Sequence, residues 1–215
     1  MAIPEPDRSI RLNLGAGMQQ IAGWMSYDLD PELGPDIIGD VEDLSQFPDC
    51  SVDEIYASHV LEHVEFDSPA LGEWYRVLKP GAILTVAVPD INQIFYLWRQ
   101  GSVWGPYQLP IDEAYMQAVV FGAHLLKDRL PESARFTKEG HTHKQLFIND
   151  MLTQQMLRAG FENVSDVTFC DVRRKTPGEV MVQGIKPRAA SSSDCYSDEP
   201  WCLRRRPPKQ DPTKE

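Results

Sequence analysis

The chain has 215 residues, room for one domain of roughly 150–200 residues plus an appendage. Its residues are 42% hydrophobic, enough for a sizeable core, and no run of about 18 apolar residues is present to span a membrane. The net charge of −11 argues against a partner with a nucleic-acid backbone and favours a small or neutral substrate. The start, Met1-Ala2-Ile3-Pro4-Glu5-Pro6-Asp7, lacks the basic-then-apolar layout of a secretory signal, so a cytoplasmic location is expected. Cys50, Cys170, Cys195 and Cys202 form no CxxC pair, and free thiols are expected rather than disulfides.

Residues 10–14, 24–28 and 36–39 read as short strands. A fourth covers 55–58, introduced by the turn Pro48-Asp49-Cys50-Ser51. Residues 60–64 start a short helix. Ser68 is a plausible N-cap for a helix over 69–78 with Pro69 in its first turn, and Leu71, Trp74, Tyr75 and Leu78 recur at helical spacing. Lys79-Pro80-Gly81 stops that helix. The run AILTVAV over 82–88 is what a central parallel strand buried on both faces requires.

From 89 to 144 the pattern loosens into the most aromatic part of the chain, with Phe95, Tyr96, Trp98, Trp104, Tyr107, Tyr115 and Phe121. The stripe from Phe95 to Tyr107 reads more as core than as a substrate box. A helix is expected within 111–130. Asn149 is expected to cap a helix over 151–159, ended by Gly160 in a left-handed C-terminal cap. Residues 164–170 and 179–185 read as an antiparallel pair of final strands. After Pro187, the serine run, Arg204-Arg205-Arg206 and Pro207-Pro208 read as a disordered tail over 188–215. Strands alternating with helices predict a three-layer α/β sandwich with a mostly parallel sheet.

The chemistry centres on Leu12-Asn13-Leu14-Gly15-Ala16-Gly17 followed by Tyr27-Asp28. Glycines let a backbone approach a ligand closely, and a carboxylate at the tip of the neighbouring strand accepts from ribose hydroxyls. Asp30 competes with Asp28 for that role. A dinucleotide site wants G-x-G-x-x-G, but Gln20 stands at the third position. Only residues 15–23 separate the two strands, too few for a full crossover helix. The helix N-terminus that would seat a pyrophosphate is therefore missing. S-adenosylmethionine, which has no phosphate, fits these parts better than NAD.

With these pieces the sequence resembles the class I S-adenosylmethionine-dependent methyltransferases, among the small predicted methyltransferases of the type-11 domain kind. The resemblance covers about residues 10–187. It is carried by the glycine turn, Gly39-Asp40-Val41-Glu42-Asp43-Leu44, Ser51-Val52-Asp53-Glu54-Ile55-Tyr56, Ser58-His59-Val60-Leu61-Glu62-His63-Val64, the block from Trp74 to Ala82, and Ala159-Gly160-Phe161. It implies a Rossmann-like seven-stranded sheet of order 3-2-1-4-5-7-6 with strand 7 antiparallel and the first crossover helix trimmed. The methyltransferase domain would cover 1–187, with an inserted acceptor or lid region at about 89–144. Asn13, Gly15, Ala16 and Gly17 would face the methionine part of S-adenosylmethionine, Asp28 the ribose, and Asp40 and Val41 the adenine. Ser58 and His59 would border the transferred methyl. The trimmed crossover leaves one sheet flank for a homodimer partner or the aromatic insert to cover.

His59 and His63 lie four apart, one face of a helix. The zinc-protease pattern needs Glu directly after the first His, whereas here the run is His59-Val60-Leu61-Glu62-His63, so no metal site is expected. His63 reads equally as a packed histidine. His143, in Gly140-His141-Thr142-His143, is the better candidate to take a proton from an acceptor hydroxyl, with His59 and His63 as further catalytic candidates. The expected function is methyl transfer to a small-molecule or sugar acceptor at oxygen. A non-catalytic cofactor-binding module and an NAD-dependent oxidoreductase or epimerase are the rivals.

Overall fold

Short apolar strands that alternate with helices bury themselves as one sheet. A computed structural model describes residues 9–104, 108–121, 126, 128–129, 142–168, 170 and 178–188. The strands are β1 Arg11–Leu14, β2 Met25–Asp28, β3 Ile37–Ile38, β4 Val52–Ser58, β5 Leu78–Pro89, β6 Val103–Trp104, β7 Leu109–Pro110, β8 Glu162–Asp166 and β9 Glu179–Ile185. The helices are α1 Ala70–Val77, α2 Ile91–Arg99, α3 Glu113–Phe121 and α4 Asn149–Ala159.

The main sheet has seven strands in the order β3-β2-β1-β4-β5-β9-β8. β9 pairs antiparallel with both neighbours, and the pairings among β1 to β5 are parallel. Apart from the small β6–β7 ladder, this is the expected 3-2-1-4-5-7-6 order. Its consequence for function is positional. The parallel strands end together, and the order reverses beside β1, between β1 and β4, which is where open α/β sheets bind ligands.

The main core packs α1 and α4 against the sheet through Trp74, Val77, Leu152 and Met156, with Leu12, Leu14, Ile55, Leu84 and Val182 beneath them. The opposite side carries no helix between β1 and β2, only turns. There Tyr56, Ala87 and Met181 are fully buried, with Ile21, Trp24 and Val167 packed against them. Trp24 meets the Tyr56 ring edge-on at 6.4 Å, and the Arg11 guanidinium lies 5.5 Å from the Trp24 ring centre. The trimmed crossover thus covers the innermost part of this flank with its own side chains.

Several boundaries differ from expectation. Residues 60–64 form one 3-10 turn, Leu61–His63. α1 starts at Ala70, yet the Ser68 hydroxyl still accepts from Ala70 N at 3.1 Å. It ends at Val77 because Leu78 already pairs with Val52 in the sheet. Ile148, not Asn149, is the N-cap of α4; the Asn149 side chain is drawn to Asp166 instead. β8 stops at Asp166, whose carboxylate turns the chain by accepting from Thr168 N.

α2 was not expected at all. Asp90 caps it by accepting from Asn92 N and Gln93 N. Its Phe95, Tyr96 and Trp98 are exposed, which corrects the reading of this part of the stripe as core; Tyr107 lies outside the described residues. Ile94 of α2 joins Ile111, Tyr115 and Val119 in a second small core. Cys170 is a free, exposed thiol as expected, whereas Cys50 is disulfide-bonded. The segment expected to be a tail, 188–215, lies outside the described residues from 189 onward.

Candidate active site

Gly15 and Gly17 both adopt left-handed backbone, φ +58° and +55°, where a side chain is strained. Their reasons differ. A Cβ on Gly15 would sit 2.0 Å from Val60 Cγ2, so close packing of the protein on itself demands this glycine. A Cβ on Gly17 would meet nothing within 4 Å; that side of the turn is open. Ala16 N donates to Tyr27 O, and Gly17 N donates to Asp28 Oδ2 at 2.8 Å. Asp28 Oδ1 accepts from Asp30 N, which leaves lone pairs on both oxygens. Asp30 itself caps the 3-10 turn Pro31–Leu33, and Asp28 is the acid that lies beside the glycines. Asn13 is buried and its amide donates to Gln19 O at 2.8 Å. It holds the glycine loop from behind.

Asp40 and Val41 open the loop after β3. The Asp40 carboxylate is exposed and accepts from Glu42 N, and Val41 O accepts from the Trp74 indole at 2.8 Å. Sequence reasoning missed Tyr27 as the anchor of this loop. Its hydroxyl donates toward Asp40 O and Asp43 O, 3.1 and 3.0 Å away, and burial pushes its pKa up. A Cβ on Gly39 would lie 2.1 Å from that hydroxyl, so the glycine after β3 makes room for Tyr27.

Ser58 and His59 end β4. Ser58 is buried and its hydroxyl has no hydrogen-bond partner among the described residues. His59 has φ +58°, a sparsely populated conformation that His tolerates better than most residues. This kink places its ring between two buried carboxylates. Nε2 lies 2.9 Å from Glu179 Oε2 and Nδ1 lies 3.3 Å from Glu62 Oε1. Both ring nitrogens are therefore engaged by carboxylates.

His63 does not share a helical face with His59 as the spacing suggested, because the intervening backbone is a 3-10 turn preceded by a left-handed residue. It meets His143 instead, ring centres 4.8 Å apart. His63 Nδ1 lies 3.1 Å from Thr142 O and His143 Nδ1 2.5 Å from Val119 O. A ring nitrogen facing a carbonyl must carry the hydrogen, so in the neutral rings the lone pair is on Nε2. His141 lies outside the described residues. The segment after it is sewn to the turn: Lys144 N and Gln145 N donate to Glu62 O, and the Gln145 amide donates to Leu61 O, Val64 O and Glu65 O.

Glu62 and Glu179 are two buried acids at this cluster to which sequence reasoning gave no role. Burial pushes the Glu62 carboxyl up, but contact with His59 and the charges of His59, His63 and His143 outweigh it and hold the pKa below the ordinary value. Glu179 opens β9, which pairs back along β5 from Pro89; that antiparallel start at the carboxyl edge was the available signal.

Among known proteins, the methyltransferase domain family matches residues 12–86. The malonyl-[acyl-carrier protein] O-methyltransferase of Yersinia pestis is 31% identical over 97 residues, which cover 43% of this chain and 34% of that protein. The chain thus spans about a third of the length of that curated relative. Among solved structures, an S-adenosylmethionine-dependent methyltransferase from Methanosarcina mazei superposes with TM-score 0.52 at 16% identity, covering 85% of this chain and 95% of that one. One from Archaeoglobus fulgidus gives 0.51 at 13% identity, covering 84% and 87%. Residues 12–86 are thus similar to a methyltransferase domain, and the chain shares its fold with solved S-adenosylmethionine-dependent methyltransferases.

Proposed function

We propose that the protein is an S-adenosylmethionine-dependent methyltransferase acting on an oxygen of a small-molecule or sugar acceptor. One observation carries the cofactor reading: Gly17 turns its open side outward at the end of β1, with the Asp28 carboxylate 2.8 Å from its N–H. Gly17 would admit the methionine part, Asp28 would hold the ribose through its remaining lone pairs, and the loop pinned by Tyr27 would border the adenine. The absence of a helix between β1 and β2 weighs against a dinucleotide, which needs a helix N-terminus for its pyrophosphate.

Bound S-adenosylmethionine supplies an already activated methyl group. The chain's work is then to hold the acceptor in line, which is worth around 7–11 kcal/mol. His63 and His143, with their lone pairs on Nε2, are the groups to face the acceptor oxygen. His59, with both nitrogens on carboxylates, positions Glu62. The net charge of −11 favours a small acceptor over a nucleic acid, and the Yersinia relative is named as an O-methyltransferase.

The test is calorimetric titration with S-adenosylhomocysteine, NAD and NADP. Binding of S-adenosylhomocysteine alone, lost in Asp28→Ala, is expected. Binding of NAD with indifference to S-adenosylhomocysteine would overturn the reading. A non-catalytic module would bind the cofactor yet transfer no label from S-adenosylmethionine to any component of a metabolite extract.

A further inference from the structure

We propose that Glu62, His63 and His143 form a binding site for one divalent transition-metal ion of the zinc kind. One ligand atom from each residue lies within 4.8 Å of the other two. A tetrahedral ion about 2.0–2.1 Å from each donor wants them about 3.4 Å apart, so small side-chain rotations close the cluster. Glu62 is 1% exposed; His59 Nδ1 stands 3.3 Å from its Oε1, and neither carboxylate oxygen has a well-formed hydrogen bond among the described residues. A buried carboxylate so sparsely paired is costly, and a cation is a partner it can share with the imidazoles of His63 and His143.

The surroundings are those of a ligand set. Metal-bound histidines typically give their other ring N–H to a carbonyl or carboxylate, which fixes the tautomer. Here Thr142 O and Val119 O take that part for His63 and His143. His59 stands 3.3 Å behind Glu62 Oε1 and is itself held by Glu179, an outer chain that orients the carboxylate. Lys144 N and Gln145 N on Glu62 O lock the two ligand segments together. Two imidazoles and one carboxylate suit zinc, iron or manganese far better than calcium or magnesium, which prefer oxygen alone. Three protein ligands leave a position open. On the methyltransferase reading, on which this role alone rests, that position would bind and orient the acceptor oxygen; with the ion bound, the Nε2 lone pairs of His63 and His143 would be spent on it, and the two histidines would act on the acceptor through the ion.

The experiment strips the full chain with a chelator, dialyses it, and titrates zinc chloride by calorimetry, with elemental analysis after redialysis. About one ion per chain is expected. Glu62→Gln and His143→Asn should each weaken zinc binding by about 100-fold or more, beyond the roughly 10–100-fold typical of an outer-shell loss. Each variant's cooperative thermal unfolding without ligand reports whether it is folded; should Glu62→Gln not fold, His143→Asn carries the test. No stoichiometric zinc on the folded wild type overturns the site, as does zinc bound equally by the variants. Zinc without S-adenosylhomocysteine binding keeps the site and removes the methyltransferase reading; the reverse result keeps that reading and removes the site.

Discussion

The His59 ring nitrogen Nε2 lies 2.9 Å from a carboxylate oxygen of Glu179, 120 residues further along the chain. The contact ties the end of β4 to the start of β9 across β5, and it fixes His59 in its left-handed conformation. Glu179 is fully buried whereas His59 is 31% exposed, so solvent screens part of the pair's attraction. A double-mutant cycle with Glu179→Gln and His59→Asn isolates the contact, since Asn also tolerates the left-handed region. A coupling on the order of 1 kcal/mol is expected in urea unfolding. Additive single effects would show that the two residues stabilise independently.

The two glycines of the β1 turn separate folding from binding. Gly17→Val adds strain of about 1–2 kcal/mol from its left-handed backbone but no clash. It should remain folded and lose its thermal response to S-adenosylhomocysteine, which in the wild type at 100 times Kd amounts to about 2.7 kcal/mol. Gly15→Ala drives a methyl group to 2.0 Å from Val60 Cγ2 and should cost more stability than Gly17→Val. A Gly17→Val protein that still shifts with the ligand would remove Gly17 from the cofactor site.

How far the sequence speaks varies with the range of the interaction. β9 is read to the residue and β5 as its central part, because a run buried on both faces leaves a continuous apolar signature. α2 escaped because its aromatic residues point outward and blur the apolar stripe. Its real signal was Asp90 followed three residues later by Gln93: the Asp90 carboxylate accepts from both the backbone N–H and the side-chain amide of Gln93 at the helix start. The glycine turn, Asp28 and the histidines were legible as residue types. Which histidine meets which was not, since His63 and His143 converge only through the turn at Leu61–His63 and the strap that returns beside it. The role of Glu62 was hidden for the same reason: helical spacing misplaces it, and its burial depends on segments about 80 residues apart.

Asp36 links the strand that ends at Asp28 to the approach to β3. Its Oδ2 accepts from both Ser26 N and Ser26 Oγ at 2.8 Å. The backbone hydrogen bond from Ser26, aided by the hydroxyl, holds its pKa below the ordinary 3.8. Folding therefore favours the ionised form. The stabilisation is complete above the unfolded value and is lost as pH falls through the folded one. Asp36→Asn should lower the melting temperature at pH 7, and the gap to the wild type should close as pH falls below 3.8 and through the folded value. A gap that persists unchanged in acid would assign the effect to packing.

Lys186 is a buried cation spent on a helix end. Its ammonium donates to Tyr75 O, Arg76 O and Leu78 O at 2.9, 3.3 and 2.7 Å and lies 4.7 Å from the Tyr75 ring centre. Carbonyls at the C-terminus of a helix carry partial negative charge and lack intrahelical partners, and here β5 follows α1 with no turn in which water could reach them. Lys186→Met keeps the stem's packing and removes the donors. Arg76 O keeps its bond from Cys50 N; loss of the ammonium from Tyr75 O and Leu78 O should cost about 1–3 kcal/mol of stability, read as a lower urea midpoint at unchanged slope. Because the residue lies at the far end of β5 and β9 from Asp28 and Glu62, affinity for S-adenosylhomocysteine should stay within about two-fold while folded, a difference of less than about 0.5 kcal/mol. A loss of binding without a loss of stability would contradict this purely structural role.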